Sequence, residues 1–281
     1  MTEPMLVCLN GEFIPQEEAR VPINDGGFLF GATLFETFKA QEQKILLVQQ
    51  HLDRLECSAH QLKFSFARNK IEHSLQQLAA GLTAPTSRIR LTLSQGLFDG
   101  LKYPEPAECH FLITATDYSE LSDAQRESGA ICVTAPNQRV NPFSHLPQMK
   151  HGNYADCLYA FNFAQQSGAR EALFFDQNKN VLEGATSNIF AVINHRLVSP
   201  PTGHLVLDGI TRQEVIKTAA ELGLPFSQRQ IHAEELLQAE EVFLTNSLID
   251  ILPVSKINGK VVRRCSDWKS LLKTLWMRIE T

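Results

Sequence analysis

Between Thr33 and Lys39 the residues Leu34, Glu36 and Phe38 alternate with Phe35 and Thr37. That period of two predicts a strand. A glutamate inside it faces either water or a cavity, and taken alone water is favoured. Upstream, Leu6 to Leu9 and Glu12 to Ile14 flank Asn10-Gly11, which predicts a hairpin. Asn24-Asp25-Gly26-Gly27 reads as a further turn. Downstream the period lengthens. Leu52, Leu55, Ala59 and Leu62 have helical spacing, so His51 to Lys63 is an expected amphipathic helix with Arg54 off its apolar stripe. Asn69-Lys70-Ile71-Glu72 resembles a capping box, opening a helix that carries Ile71, Leu75 and Leu78 and stops at Gly81. Arg88 to Leu93 and Cys109 to Thr116 read as strands.

Asp117 to Ser128 is polar, with no apolar run longer than one residue. It marks the expected boundary: a small N-terminal α/β domain over 1–118, a linker over 119–128 and a larger C-terminal domain over 129–281. Strands are expected at Ile131 to Ala135, Glu171 to Phe175, Ile189 to Ile193, Arg196 to Val198 and Glu241 to Leu244. Helices are expected at Ala155 to Gln166, ended by Gly168, and at Ile210 to Leu222, closed by Gly223. Ser266 is placed to cap a last helix bearing Trp268, Leu271, Leu272, Leu275 and Trp276. Helices inserted among strands make the fold class α/β (α+β).

Composition narrows the function classes. Of 281 residues, 43% are hydrophobic and 20% charged, as in soluble globular proteins. A net charge of −5 without a Lys/Arg run gives no footprint for nucleic acid. No apolar stretch approaches the roughly 20 residues that span a bilayer, and Met1 to Asn10 lacks the basic start of a signal peptide. The six cysteines are scattered with no CxxC pair, so neither a zinc site nor a disulfide scaffold is expected. Reduced thiols and a cytoplasmic location fit that usage.

Candidate chemistry centres on Lys150. It lies between the turn-rich Asn141 to Pro147 and the apolar run from Ala155. A desolvated amine there has a lowered pKa and a free lone pair for a carbonyl. Alone, a lysine is more often a solvated charge. Three more pieces share the chain. Glu183 to Asn188 precedes a strand. Asp208-Gly209-Ile210-Thr211-Arg212 enters a helix, whose free amides and dipole suit a phosphate. Thr245-Asn246-Ser247 follows a strand and offers hydroxyl and amide donors. Each has a bland reading: a surface turn, simple capping, an ordinary loop.

In combination and in this order the pieces resemble the class IV, fold-type IV pyridoxal-phosphate (PLP) enzymes. The matching residues are Phe28-Leu29-Phe30-Gly31 with Leu34-Phe35-Glu36-Thr37, His51-Leu52-Asp53-Arg54-Leu55, Arg88-Ile89-Arg90, Lys150 to Asn153, Glu183 to Asn188, Gly209 to Arg212, and Thr245-Asn246-Ser247 with Pro253-Val254. The resemblance implies two α/β domains with the cofactor between them, and a homodimer acting on a small amino substrate. It implies Lys150 as the Schiff-base lysine and proton carrier. Glu183 is implied as partner of the pyridine nitrogen, which keeps the ring an electron sink. Arg54, the Ile210 and Thr211 amides and Ser247, with Asn246, are implied to hold the phosphate, and Tyr154 to approach the ring hydroxyl.

Within the family, Lys150-His151-Gly152-Asn153 has the short spacing of aminodeoxychorismate lyases and D-amino-acid aminotransferases. Branched-chain enzymes have one residue more, and a small Gly-Thr-Ala-Ala stretch where Asn246 to Ile249 stand. Phe35 occupies the place of a substrate-side tyrosine in the D-amino-acid enzymes, and their Arg-x-His pair is not evident. The expected activity is therefore conversion of 4-amino-4-deoxychorismate to 4-aminobenzoate and pyruvate. Transamination of branched-chain or D-amino acids is the alternative. Ser94 to Tyr103 departs from the Arg-Gly-rich loop of many lyases. Arg90 is either a substrate-carboxylate binder or a solvent-facing arginine.

Overall fold

Asn10 and Gly11 both hold positive φ, 50° and 88°, the conformation of a tight hairpin turn. They join β1 (Leu6–Leu9) to β2 (Glu12–Ile14) in antiparallel register. The protein is seen here as a computed structural model that describes residues 6–103 and 109–280. It divides into two compact units, Met1–Glu120 with Met149–Asn153, and Leu121–Gln148 with Tyr154–Thr281. The short stretch bearing Lys150 thus belongs with the N-terminal unit.

In that first unit, α1 (Gly26–Phe30) precedes β3 (Thr33–Gln41) and β4 (Lys44–Ile45). Then come α2 (Val48–Gln61), α3 (Arg68–Ala80), β5 (Thr86–Ser94) and β6 (His110–Asp117). The strands form one sheet ordered β2-β1-β6-β5-β3-β4. Leu34 and Phe38 of β3, Leu52 and Leu55 of α2, and Ile71 and Leu75 of α3 are buried. Each such side chain contributes about 2 kcal/mol by leaving water.

Three local expectations change. The Asn24 to Gly27 turn is the start of α1: Asp25 accepts from the Phe28 amide and caps the helix. The Asn69 capping box does not form, because α3 begins two residues earlier, after Ala67, and has no side-chain cap. Arg68 instead ties that first turn to Glu72 and to Glu56 of α2. Glu36 does not face water; it is 1% exposed.

The second unit opens with α4 (Asp123–Ser128), inside the stretch read as a linker. Ser122 and Gln125 form its capping box. β7 (Ala130–Thr134), α5 (Ala155–Gln166), β8 (Glu171–Phe175), β9 (Val181–Gly184) and β10 (Asn188–Ile193) follow. Next are β11 (Arg196–Ser199), α6 (Ile210–Glu221), β12 (Phe226–Gln228), α7 (Ala233–Gln238) and β13 (Glu241–Asn246). β14 (Asp250–Ile257), β15 (Lys260–Val261) and α8 (Asp267–Glu280) complete it. The sheet runs β12-β11-β10-β13-β14-β7-β8-β9, with β15 on β14. On one face α5 packs Cys157, Ala160 and Ala164 against Ala172 and Phe174. Leu173, Ile189, Val198, Val242 and Leu244 form a second core cluster.

Among the described residues, no helix is long and apolar enough to cross a membrane, and no group of three or more His, Cys, Asp or Glu is placed to hold a metal. No disulfide joins cysteines among the described residues.

Candidate active site

The predicted site residues fall into two groups, one in each unit. In the first, Met149–Asn153 lies along β3. The Phe35 amide donates to the Lys150 carbonyl at 2.9 Å, and the Gly152 amide to the Thr33 carbonyl at 2.7 Å. Gly152 is required there, since a Cβ would come within 2.0 Å of Thr33 Oγ1. This pairing fixes the backbone of Lys150 against a rigid strand. The Lys150 Nζ lies 4.4 Å from the centroid of the Phe35 ring, and the Arg90 guanidinium carbon lies 3.9 Å from the same centroid. Both are cation–π contacts. Arg90 also donates through Nε to Thr92 Oγ1 at 3.2 Å. One aromatic ring therefore gathers the predicted amine and the predicted carboxylate binder.

Glu36, on β3, receives three bonds from α2. Arg54 donates to it side-on, Nε to Oε1 at 2.8 Å and Nη2 to Oε2 at 2.6 Å, and His51 Nδ1 lies 2.7 Å from Oε2. Residues 51 and 54 share a helix face because three residues make nearly one turn. Burial alone would raise the Glu36 carboxyl; Arg54 and then His51 outweigh it and bring the pKa down to about 2. His51 is pushed below its ordinary value, first by its own burial. The Arg54 side chain keeps 16% exposure. Its guanidinium plane is fixed by Glu36.

In the second unit, Glu183 lies next to the last residue of β9 and is 5% exposed. Its Oε1 accepts from Arg139 Nε at 2.8 Å, and its Oε2 from the Leu207 amide at 2.9 Å and Asn188 Nδ2 at 3.5 Å. Arg139 was not singled out in the sequence. A buried glutamate demands a cation, but nothing local chooses a partner 44 residues away. Glu171 was missed too. Its Oε2 accepts from Thr186 Oγ1 at 2.7 Å, Ser187 Oγ at 2.9 Å and the Thr186 amide at 3.2 Å, so one carboxylate organises the 184–188 turn. Burial holds the Glu171 carboxyl above its ordinary pKa.

Two predicted residues grip that turn through its carbonyls. Tyr154 Oη donates to Ala185 O at 2.8 Å, and burial holds the phenol well above its ordinary pKa. Asn246 Nδ2 donates to Thr186 O at 3.1 Å, while its Oδ1 accepts from the Leu248 and Ile249 amides at 2.9 Å each. Ser247 follows Asn246 in the same loop. Ile210 and Thr211 are the first residues of α6, whose N-cap Gly209 supplies no side-chain cap. Asp208 is not a cap either: it pairs with Arg212 and Gln213 at 3.0 Å each. Gly209 fits tightly, since a Cβ would meet Asn188 Oδ1 at 2.1 Å.

Each unit has donors that suit PLP. In the first an amine lies over an aromatic ring; in the second a buried carboxylate is held by an arginine, and a helix start without a side-chain cap suits a phosphate dianion. Directly across the ladder from Asn188, Thr245 Oγ1 is buried without a hydrogen-bond partner.

Comparison with known proteins agrees. The chain is 31% identical over 262 residues to a putative branched-chain-amino-acid aminotransferase of Methanocaldococcus jannaschii, covering 92% of this chain and 90% of that protein. It is 27% identical over 260 residues to the aminodeoxychorismate lyase of Bacillus subtilis, covering 90% and 86%. A solved T.th. branched-chain amino acid aminotransferase with pyridoxamine 5'-phosphate superposes with a TM-score of 0.89 at 25% identity, covering 99% and 95% of the two chains. The family model described as amino-transferase class IV matches residues 33–257, and the chain is a member of this family of PLP-dependent enzymes.

Proposed function

We propose that the protein is a PLP-dependent lyase that converts 4-amino-4-deoxychorismate to 4-aminobenzoate and pyruvate. The observation that carries this reading is the Asn246 loop. Asn246 makes three hydrogen bonds, one to the 184–188 turn and two within its own loop. The Gly-Thr-Ala-Ala stretch of the branched-chain pattern has no side chain at that place to make any of them. The short Lys150 to Asn153 spacing and the 27% identical Bacillus subtilis lyase support the same reading.

PLP, when bound, withdraws electrons from the carbon that carries the substrate amine. The chain's own residues do the rest. Lys150 would hold the cofactor and, as the free amine, would take the proton from that carbon. Its ammonium then supplies a proton to the departing enolpyruvyl group, which leaves as pyruvate while the ring becomes aromatic. Arg90, oriented by Phe35 and Thr92, takes a substrate carboxylate. Arg54, the Ile210 and Thr211 amides and Ser247 would hold the phosphate. Glu183 would pair with the ring nitrogen, and Tyr154 would approach the ring hydroxyl.

Transamination is the second reading, favoured by the 31% identical Methanocaldococcus jannaschii relative. Alanine or leucine supplied with a keto acid separates the two: the lyase leaves the amino-acid pool unchanged, and an aminotransferase does not.

We also read the protein as a cytoplasmic homodimer. Cysteines outside any disulfide fit the location. Phe28, Leu29 and Phe30 of α1, with Leu97, Leu101 and Tyr103, leave an apolar surface of the kind a second copy covers. Light scattering at micromolar concentration reads the mass directly.

A further inference from the structure

Arg139 lies outside every motif that placed the chain in its family, yet it is 8% exposed and joins two carboxylates. Its Nε donates to Glu183 Oε1 at 2.8 Å, and its Nη1 to Asp156 Oδ2 at 2.6 Å. The guanidinium carbon lies 5.9 Å from the centroid of Phe174. Asp156 is itself fixed at the start of α5, accepting from the Val140 and Cys157 amides at 2.9 and 2.8 Å.

Among these three side chains the charges do not cancel. Two carboxylates and one guanidinium sum to one negative charge. Two neighbours add no charge: burial holds both the Tyr154 phenol and the Cys157 thiol above their ordinary pKa values, so both are neutral. A buried net charge is costly unless a counter-charge meets it. A protonated pyridine nitrogen facing Glu183 supplies that counter-charge.

We propose that Arg139 is a positioning residue: by pairing with Glu183 it keeps that carboxylate anionic and aimed, so that the shared proton resides on the cofactor ring nitrogen. This rests on the reading of Glu183 given above. Without a cation beside it, a carboxylate at this depth would compete for the proton, because burial favours its neutral form. With Arg139 in place the anion is favoured and the ring is the better electron sink. Asp156 sets the guanidinium plane from the other side. The directions of the two neighbours agree. Burial opposes the Arg139 charge, yet Glu183 and Asp156 raise its pKa above the ordinary value. Burial opposes the Asp156 charge, yet Arg139 and the Val140 amide bring its pKa below the ordinary value.

The test reads the proton rather than turnover. Holoenzyme is loaded with PLP labelled with nitrogen-15 in the ring, and the ring shift is recorded near neutral pH for the native protein, Arg139→Met, Arg139→Lys and Glu183→Gln. The native protein should show the protonated ring. Arg139→Met should lower the protonated-to-neutral ratio by about tenfold or more, one pKa unit being tenfold. Arg139→Lys should restore most of it, because the charge returns. If Arg139→Met unfolds, Arg139→Gln gives the same comparison with a milder loss of packing. A protonated ring in either charge-removing variant, with Glu183→Gln shifted to neutral, overturns the role of Arg139 alone. An unshifted Glu183→Gln overturns the reading of Glu183 itself.

Discussion

Arg54 meets Glu36 side-on, with Nε and Nη2 each bonded to one carboxylate oxygen at 2.8 and 2.6 Å. The pairing leaves the remaining guanidinium edge fixed in direction rather than free to rotate. If Arg54 holds the phosphate as proposed, that grip depends on a residue the phosphate does not touch. Glu36→Gln should weaken PLP binding by about tenfold, roughly 1.4 kcal/mol for an ill-oriented charge-assisted bond. Pyridoxal, which lacks the phosphate, should bind the variant about as it binds the native protein. Equal weakening of both ligands in a fluorescence titration would remove Arg54 from phosphate binding.

Glu36 also sets an acid limit. Its pKa is lowered from 4.5 to about 2, so its contribution to stability is present above pH 4.5 and is lost as pH falls toward 2. Linkage makes that contribution on the order of 3 kcal/mol. His51 acts in the same direction from higher pH, because its folded-state pKa lies below 6.5. Urea unfolding of the native protein should show stability falling through this window. Glu36→Gln should start less stable and lose less as the pH drops. A parallel loss in both proteins would contradict the account.

Glu171 has the opposite sign. Burial raises its pKa, so its contribution is greatest below 4.5 and diminishes as pH rises. Glu171→Gln keeps an acceptor for the Thr186 amide and buries no charge; it should cost less than about 1 kcal/mol near neutrality. Glu171→Ala leaves buried donors of the 184–188 turn unsatisfied and should cost roughly 2–3 kcal/mol. Comparable destabilisation by both substitutions would show that the turn does not hang on this carboxylate.

Lys150→Ala should remove the absorbance of the covalently held cofactor and lower turnover by at least about 10²–10⁴-fold, the usual scale for losing a proton-transfer group. A variant that keeps both the absorbance and turnover would reassign the lysine.

Much of this was legible in the chain. The Ala155–Gln166 helix and the Glu171–Phe175 strand match their expected bounds, because apolar runs end at Gly168 and at polar Asp176. The Lys150 stretch was legible as a motif, and Gly152 explains why it lies flat on β3. What stayed hidden was pairing across distance. Glu36 looked water-facing since its partners sit on a helix 15 and 18 residues on. Arg139 and Glu171 sit in no local pattern, and only the folded chain brings them to Glu183 and to Thr186. β14 hid differently: Pro253 inside Asp250–Ile257 argues against a strand, yet it is tolerated in the sheet between β13 and β7. Asn69 misled because its side-chain type signals a cap, while Arg68 and Glu72 started the helix earlier.

The most direct test of the proposed function is product analysis. Protein reconstituted with PLP is supplied with 4-amino-4-deoxychorismate generated in situ, and 4-aminobenzoate and pyruvate are followed together. The account predicts equal amounts of both, formed at a rate proportional to enzyme and abolished by Lys150→Ala. No 4-aminobenzoate from a preparation that transaminates amino acids would contradict it.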